Sequence, residues 1–189
     1  MSLLSYIGNV VTGRIAHWNS ANNQVTTRFW NRAEQFPKYL QIPVKAFVAC
    51  SSSLVDVLLG PDQGSNRLLA KDPLEITASQ FTEIHTVVIE SLAGVFLQMN
   101  PSFAPSVAAA LTEVTGRNPI DSRAFRLIGQ LSEPDVWATG KAVWEELVSI
   151  SGSKQGTGPI EVYHFAYIMG SVSVKMVQRI RREFELSLG

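Results

Sequence analysis

The chain has 189 residues with sixteen Lys/Arg balanced by sixteen Asp/Glu, and 46% of it is hydrophobic, which describes one large globular unit or two small ones. Nine prolines and thirteen glycines exclude global disorder and collagen-like repeats. A single cysteine, Cys50, excludes an internal disulfide framework and multi-cysteine metal sites.

Charge is unevenly spread along the chain. Residues 1–50 carry Arg14, Arg28, Arg32, Lys38 and Lys45 against Glu34 alone, whereas residues 51–159 carry seven basic and twelve acidic side chains. The end is basic again, through Lys175, Arg179, Arg181 and Arg182. The first 33 residues hold no acidic side chain. That composition suits a mitochondrial import segment, a membrane-surface helix or a solvated helix with a basic face. It does not suit a secretory signal, because Leu3-Leu4 is followed by polar residues.

In chain order, Leu3, Leu4, Ile7, Val10, Val11 and Ile15 fall at helical spacings, weakened by Gly8 and Gly13. A second helix is expected over Asn22–Phe36 with Val25, Phe29, Ala33 and Phe36 on one stripe, stopped by Pro37. Pro43 suits the first turn of a third helix, Val44–Leu59, closed by Gly60-Pro61. Residues 61–73 read as a polar connector. Glu75–Met99 reads as a long helix ended by Asn100-Pro101, and Ser106–Thr115 as a short one before Gly116-Arg117-Asn118-Pro119. Asp121 and Ser132 are candidate caps, the second opening a helix whose Trp137 and Trp144 share a face. No sustained period-two alternation occurs, so the fold class is all-α.

Ser151–Pro159 is a polar, glycine-rich linker. The expected organisation is therefore basic helices over 1–60, an acidic helical region with its linker over 61–158, and an apolar helix with a basic amphipathic tail over 159–189. Val162–Val174 is nearly apolar, and thirteen residues cover about 20 Å against a hydrocarbon core of about 30 Å. Ala166 and Gly170 lie four apart with Ser173 three further on, a spacing that lets a second backbone approach in a membrane. The same small residues serve equally in a buried core helix. Lys175, Arg179, Arg181 and Arg182 would hold an anionic lipid headgroup if the preceding helix is in membrane.

Glu161-Val162, then His164-Phe165 and Tyr167, then Gly170 and Lys175, resemble the membrane helix of subunit g of mitochondrial F-type ATP synthase. Val174 stands at the family's second glycine position. Thr27–Glu34 followed by Pro37 and Pro43 is similar to that family's aromatic helix leading into prolines. Together these stretches cover about a third of the chain, by the residue ranges just given. The resemblance implies a non-catalytic subunit of the inner mitochondrial membrane, pairing with other subunits of the complex through its C-terminal helix and supporting synthase dimers and membrane shape. The alternative is a soluble all-α scaffold or interaction protein.

Other chemistry is not expected. Gly152–Gly158 lacks the Gly-Lys-Ser/Thr ending of a phosphate loop, and Gly140-Lys141 is followed by Ala142. His17, His85 and His164 share no metal-ligand spacing, Glu145 and Glu146 point apart on a helix, and Cys50 reads as structural. The acidic middle argues against nucleic acid as a partner. No catalytic, cofactor or metal residue is assigned.

Overall fold

A computed structural model describes residues 22–60, 68–69, 75–130, 136–153 and 159–188. The helix expected over Leu3–Ile15, the cap at Ser132 and most of the glycine-rich linker lie outside the described residues. Seven helices are described: α1 (residues 22–33), α2 (Lys38–Leu59), α3 (Ala78–Met99), α4 (Ala104–Thr115), α5 (Arg123–Gln130), α6 (Val136–Ser151) and α7 (Pro159–Leu188). No strand is present among the described residues, and the all-α reading holds.

Local chemistry sets most boundaries. Val25, Phe29 and Ala33 form the buried stripe of α1, as their spacing requires. Helix α1 ends at Ala33, three residues short of the expected Phe36, and turn residues lead to Pro37, which starts the next helix: its carbonyl accepts from Leu40 N and Gln41 N at 2.9 and 3.0 Å. The Gln41 amide donates back to Glu34 O and Phe36 O at 2.9 and 2.6 Å, satisfying carbonyls at the end of α1. This clasp lets α2 begin at Lys38, so Pro43 lies inside the helix rather than in a first turn at Val44. The carbonyl deprived of a partner by Pro43 belongs to Tyr39, an exposed residue. In α3 a capping box between Thr77 and Gln80 places the start at Ala78, three residues later than the spacing suggested. The cap of α5 is Ser122, whose Oγ accepts from Phe125 N at 3.3 Å, and not Asp121, which ends a short 3₁₀ turn. Gly116 closes α4 with a φ of 76°, the left-handed position that glycine fills without strain.

Helix α3 is the hub and touches α2, α4, α5, α6 and α7. Every residue from Ile84 to Gly94 is buried, the signature of a helix surrounded on all sides. Phe47 of α2, Phe96 of α3, Phe103 and Phe184 of α7 form a chain of ring contacts with centroids 5.7–5.9 Å apart. Trp144 of α6 meets Phe165 of α7 at 5.4 Å. Residues 61–73 are not wholly a polar connector, since Leu68 and Leu69 are buried and Leu69 N donates to Leu58 O at 3.0 Å.

The C-terminal helix belongs to this bundle. Val162, Phe165, Met169, Met176 and Ile180 of α7 lie in the core, against α2, α3 and α6. The linker before α7 is thus a connection within one bundle. Among the described residues one helix, α2, is long and apolar enough to cross a membrane, and most of its apolar window is buried in the bundle. Helix α7 is not such a helix, because Glu161, Lys175 and the basic exit interrupt its apolar run.

Candidate functional site

The three small residues singled out in α7 meet three different environments. A Cβ added at Gly140 of α6 would lie 2.5 Å from the Ala166 Cβ, so Ala166 serves a close α6–α7 crossing inside this chain. Ser173 is buried. Gly170 faces the other way: a Cβ there would meet nothing within 4 Å among the described residues.

All three nevertheless border one hollow. A groove of about 630 Å³ runs beside α7 and is closed by the end of α3, by α5 and by the start of α6. Its α7 wall includes Gly170, Val174, Val177 and Arg181; Met99 and Ile128 face it from α3 and α5. That volume is in the range of small-ligand pockets, but this one is open along its length, as the exposed Met99 and Val174 show. From Ala166 to Arg181 the wall spans about 22 Å at the helical rise. Among the described residues, Arg181 is the only charged one lining it.

Of the four basic residues expected to hold a headgroup, Arg181 alone borders the groove. Lys175 and Arg182 are exposed elsewhere on α7, and Arg179 Nε donates to Glu183 Oε1 at 2.8 Å. Tyr163 and Tyr167 are 68% and 70% exposed; they are neither core residues nor screened by a neighbour. Sequence reasoning missed the opposite wall, because Val95, Gln98, Met99, Ile128 and Thr139 come from three other helices. The available signal was Gly140, a glycine inside a helix.

Two buried polar clusters hold the scaffold of this site. The first contains Ser51, His85 and Asn22. The Ser51 hydroxyl lies 2.8 Å from His85 Nδ1, and His85 Nε2 lies 2.9 Å from Asn22 Oδ1. The Asn22 oxygen can only accept, so Nε2 carries the proton and Nδ1 receives the Ser51 hydroxyl hydrogen. These are the residue types of an activated nucleophile, but Ser51 is completely buried. The array acts as a polar clasp joining α1, α2 and α3. Burial lowers the His85 pKa to about 4.

The second cluster fastens α3 to the turn after α4 and to α6. Arg117 donates from Nε to Glu90 Oε1 at 2.8 Å and from Nη2 to Glu90 Oε2 at 2.6 Å, a bidentate pair. The Glu90 carboxylate is fully buried, and Glu146 approaches the same guanidinium at 3.7 Å. The hydrogen bond to Glu90 raises the Arg117 pKa above its usual value. Burial raises that of Glu146, with Glu90 adding to the shift and Arg117 opposing it. Glu145 turns away from Glu146 to Arg123 and Lys141 at 3.7 and 3.9 Å. Burial also pushes the Cys50 thiol up, away from the reactive thiolate, against a smaller opposing effect of Arg179. No three His, Cys, Asp or Glu side chains gather as a metal site among the described residues.

Comparison with protein-family models, with curated proteins and with solved structures finds no match. The fold and the groove therefore define the class: among the described residues, an all-α bundle with an apolar groove beside its last helix, lined by the single cation Arg181.

Proposed function

We propose that this chain is a non-catalytic interaction subunit that joins a larger assembly through the groove flank of α7. The observation that carries the reading is Gly170. A glycine in mid-helix costs about 0.5–1 kcal/mol relative to alanine, and among the described residues no neighbour uses the space it leaves. A backbone or side chain from outside would use it. The exposed Tyr163, Tyr167 and Val174 on the same flank supply the apolar contact such a partner needs.

The test is Gly170→Leu in the full chain in its native cell. Loss of the chain from its high-mass species on a native gel, with no fall in the unfolding midpoint, supports the proposal. Unchanged migration refutes it.

A second reading places the assembly in the inner mitochondrial membrane, in a position resembling that of subunit g of ATP synthase. Its support is the acid-free stretch over residues 1–33 and the motif around Gly170. In this reading anionic lipid meets the exposed Lys175, Arg181 and Arg182, while the buried flank of α7 stays in the bundle. Alkaline carbonate extraction of the organelle fraction distinguishes the two: full release into the supernatant leaves the soluble interaction protein.

A further inference from the structure

We infer that the partner of the α7 flank is a second copy of this chain, paired antiparallel along α7 about a twofold axis at residue 172. The inference rests on the reading of α7 as the docking element and names what docks there.

Tyr163, Tyr167, Gly170, Val174, Val177 and Arg181 follow one another at intervals of four, three, four, three and four residues. This is the alternation of a coiled-coil seam. It also reads the same in both directions, with its centre at residue 172. A helix stripe with that symmetry can face itself across a twofold axis, as an isologous interface requires.

The two halves of the stripe are complementary in shape. Tyr163 and Tyr167 protrude outside the groove, whereas Gly170, Val174, Val177 and Arg181 line it. Rotation about residue 172 carries the protruding half of each copy over the hollow half of the other. Val174, 58% exposed, then meets Gly170 of the second copy, where a side chain from outside finds open space. Tyr167 is carried over the groove wall at Val177, itself only 7% exposed, and Tyr163 meets Arg181. One operation thus accounts for two exposed tyrosines, an outward glycine and a groove that no described residue fills.

Charge selects the direction. Arg181 is the only charged member of the stripe, and no described residue forms an ion pair with it. In the antiparallel arrangement its guanidinium lies against the Tyr163 ring, a favourable cation–π contact, and the two Arg181 side chains are about 27 Å apart along the axis. A parallel pair would set Arg181 against Arg181 and Gly170 against Gly170, with both grooves still empty. A small apolar ligand would fill the groove but leave Tyr163 and Tyr167 in water.

The experiment uses the purified full-length chain alone, in a Cys50→Ser background. Sedimentation over a concentration series is expected to show a reversible dimer. Gly170→Leu and Tyr167→Glu should each convert it to monomer while retaining the helical circular dichroism signal. For orientation, differently tagged Gly170→Cys and Val174→Cys chains are mixed and oxidised; the mixed disulfide should exceed either self-linked product. A monomer at every concentration, a dimer untouched by both substitutions, or preferential self-linking of Gly170→Cys overturns the proposal. If the purified chain is monomeric while Gly170→Leu still removes it from its cellular assembly, the twofold pairing fails and the interaction subunit stands.

Discussion

Lowering the pH should unfold this protein through His85. In the fold its pKa is about 4, against about 6.5 for an unperturbed histidine. The folded value is the lower one, so the fold prefers neutral imidazole. The associated stability is fully present above pH 6.5 and is lost as pH falls through 6.5 towards 4. A gap of a few pKa units, each worth somewhat more than 1 kcal/mol, gives about 3 kcal/mol at full protonation, of which about 2 kcal/mol is gone by pH 5. Burial is the cause, because His85 lies in the middle of α3 with the Ser51 hydroxyl and the Asn22 amide as its side-chain partners. The raised carboxyl of Glu146 acts in the opposite sense, favouring the fold as pH falls. The comparison is therefore between the natural chain and His85→Leu by urea unfolding from pH 8 to 4.5. The variant starts lower, by about 1–3 kcal/mol, because the Asn22 oxygen loses its imidazole donor and the Ser51 hydroxyl keeps only the carbonyl of residue 85, at 3.3 Å. Its stability should fall less steeply below pH 6.5, and the two curves should converge. Parallel curves, or a His85 ring that titrates near 6.5 by NMR, would refute the assignment of this acid sensitivity.

Arg117→Leu leaves the Glu90 carboxylate buried without its partner and should cost about 3–5 kcal/mol by chemical denaturation; Glu90→Met added to it should recover much of that loss. Glycines in neighbouring helices should respond with opposite signs. Gly140→Val forces the α6–α7 crossing apart at Ala166 and should destabilise by about 1–3 kcal/mol, whereas Gly170→Ala should raise the unfolding free energy by about 0.5–1 kcal/mol, since its Cβ meets nothing. Leu69→Ala should cost about 2–5 kcal/mol in the same assay, marking that connector residue as part of the core.

The helices were legible because their signals are local. The stripe Val25, Phe29 and Ala33, the stops at Pro37 and Asn100-Pro101, and Gly116 after α4 each act within a few residues of where they stand. The start of α3 was legible too, in the Thr77…Gln80 pair, which fixes it better than the apolar pattern does. Pro43 misled because the clasp at Gln41 and the exposed position of Tyr39 make an early proline tolerable in α2. The stripe Ala166, Gly170 and Ser173 was visible as spacing, but its members part company in the fold, one against Gly140, one outward, one buried.

The chain's own order of residues determined that it is all-α, where most helices end, and that its last helix carries small residues followed by a basic exit. Those properties follow from i to i+4 geometry and from the backbone limits of proline and glycine, which need no distant partner. Tertiary structure alone decided that α7 packs into the bundle, that Glu90 meets Arg117 across 27 positions of sequence, and that four helices border an open groove. Each of these joins residues far apart in the chain, and a buried charge or an open glycine acquires its meaning only from the neighbour that folding brings, or fails to bring, beside it.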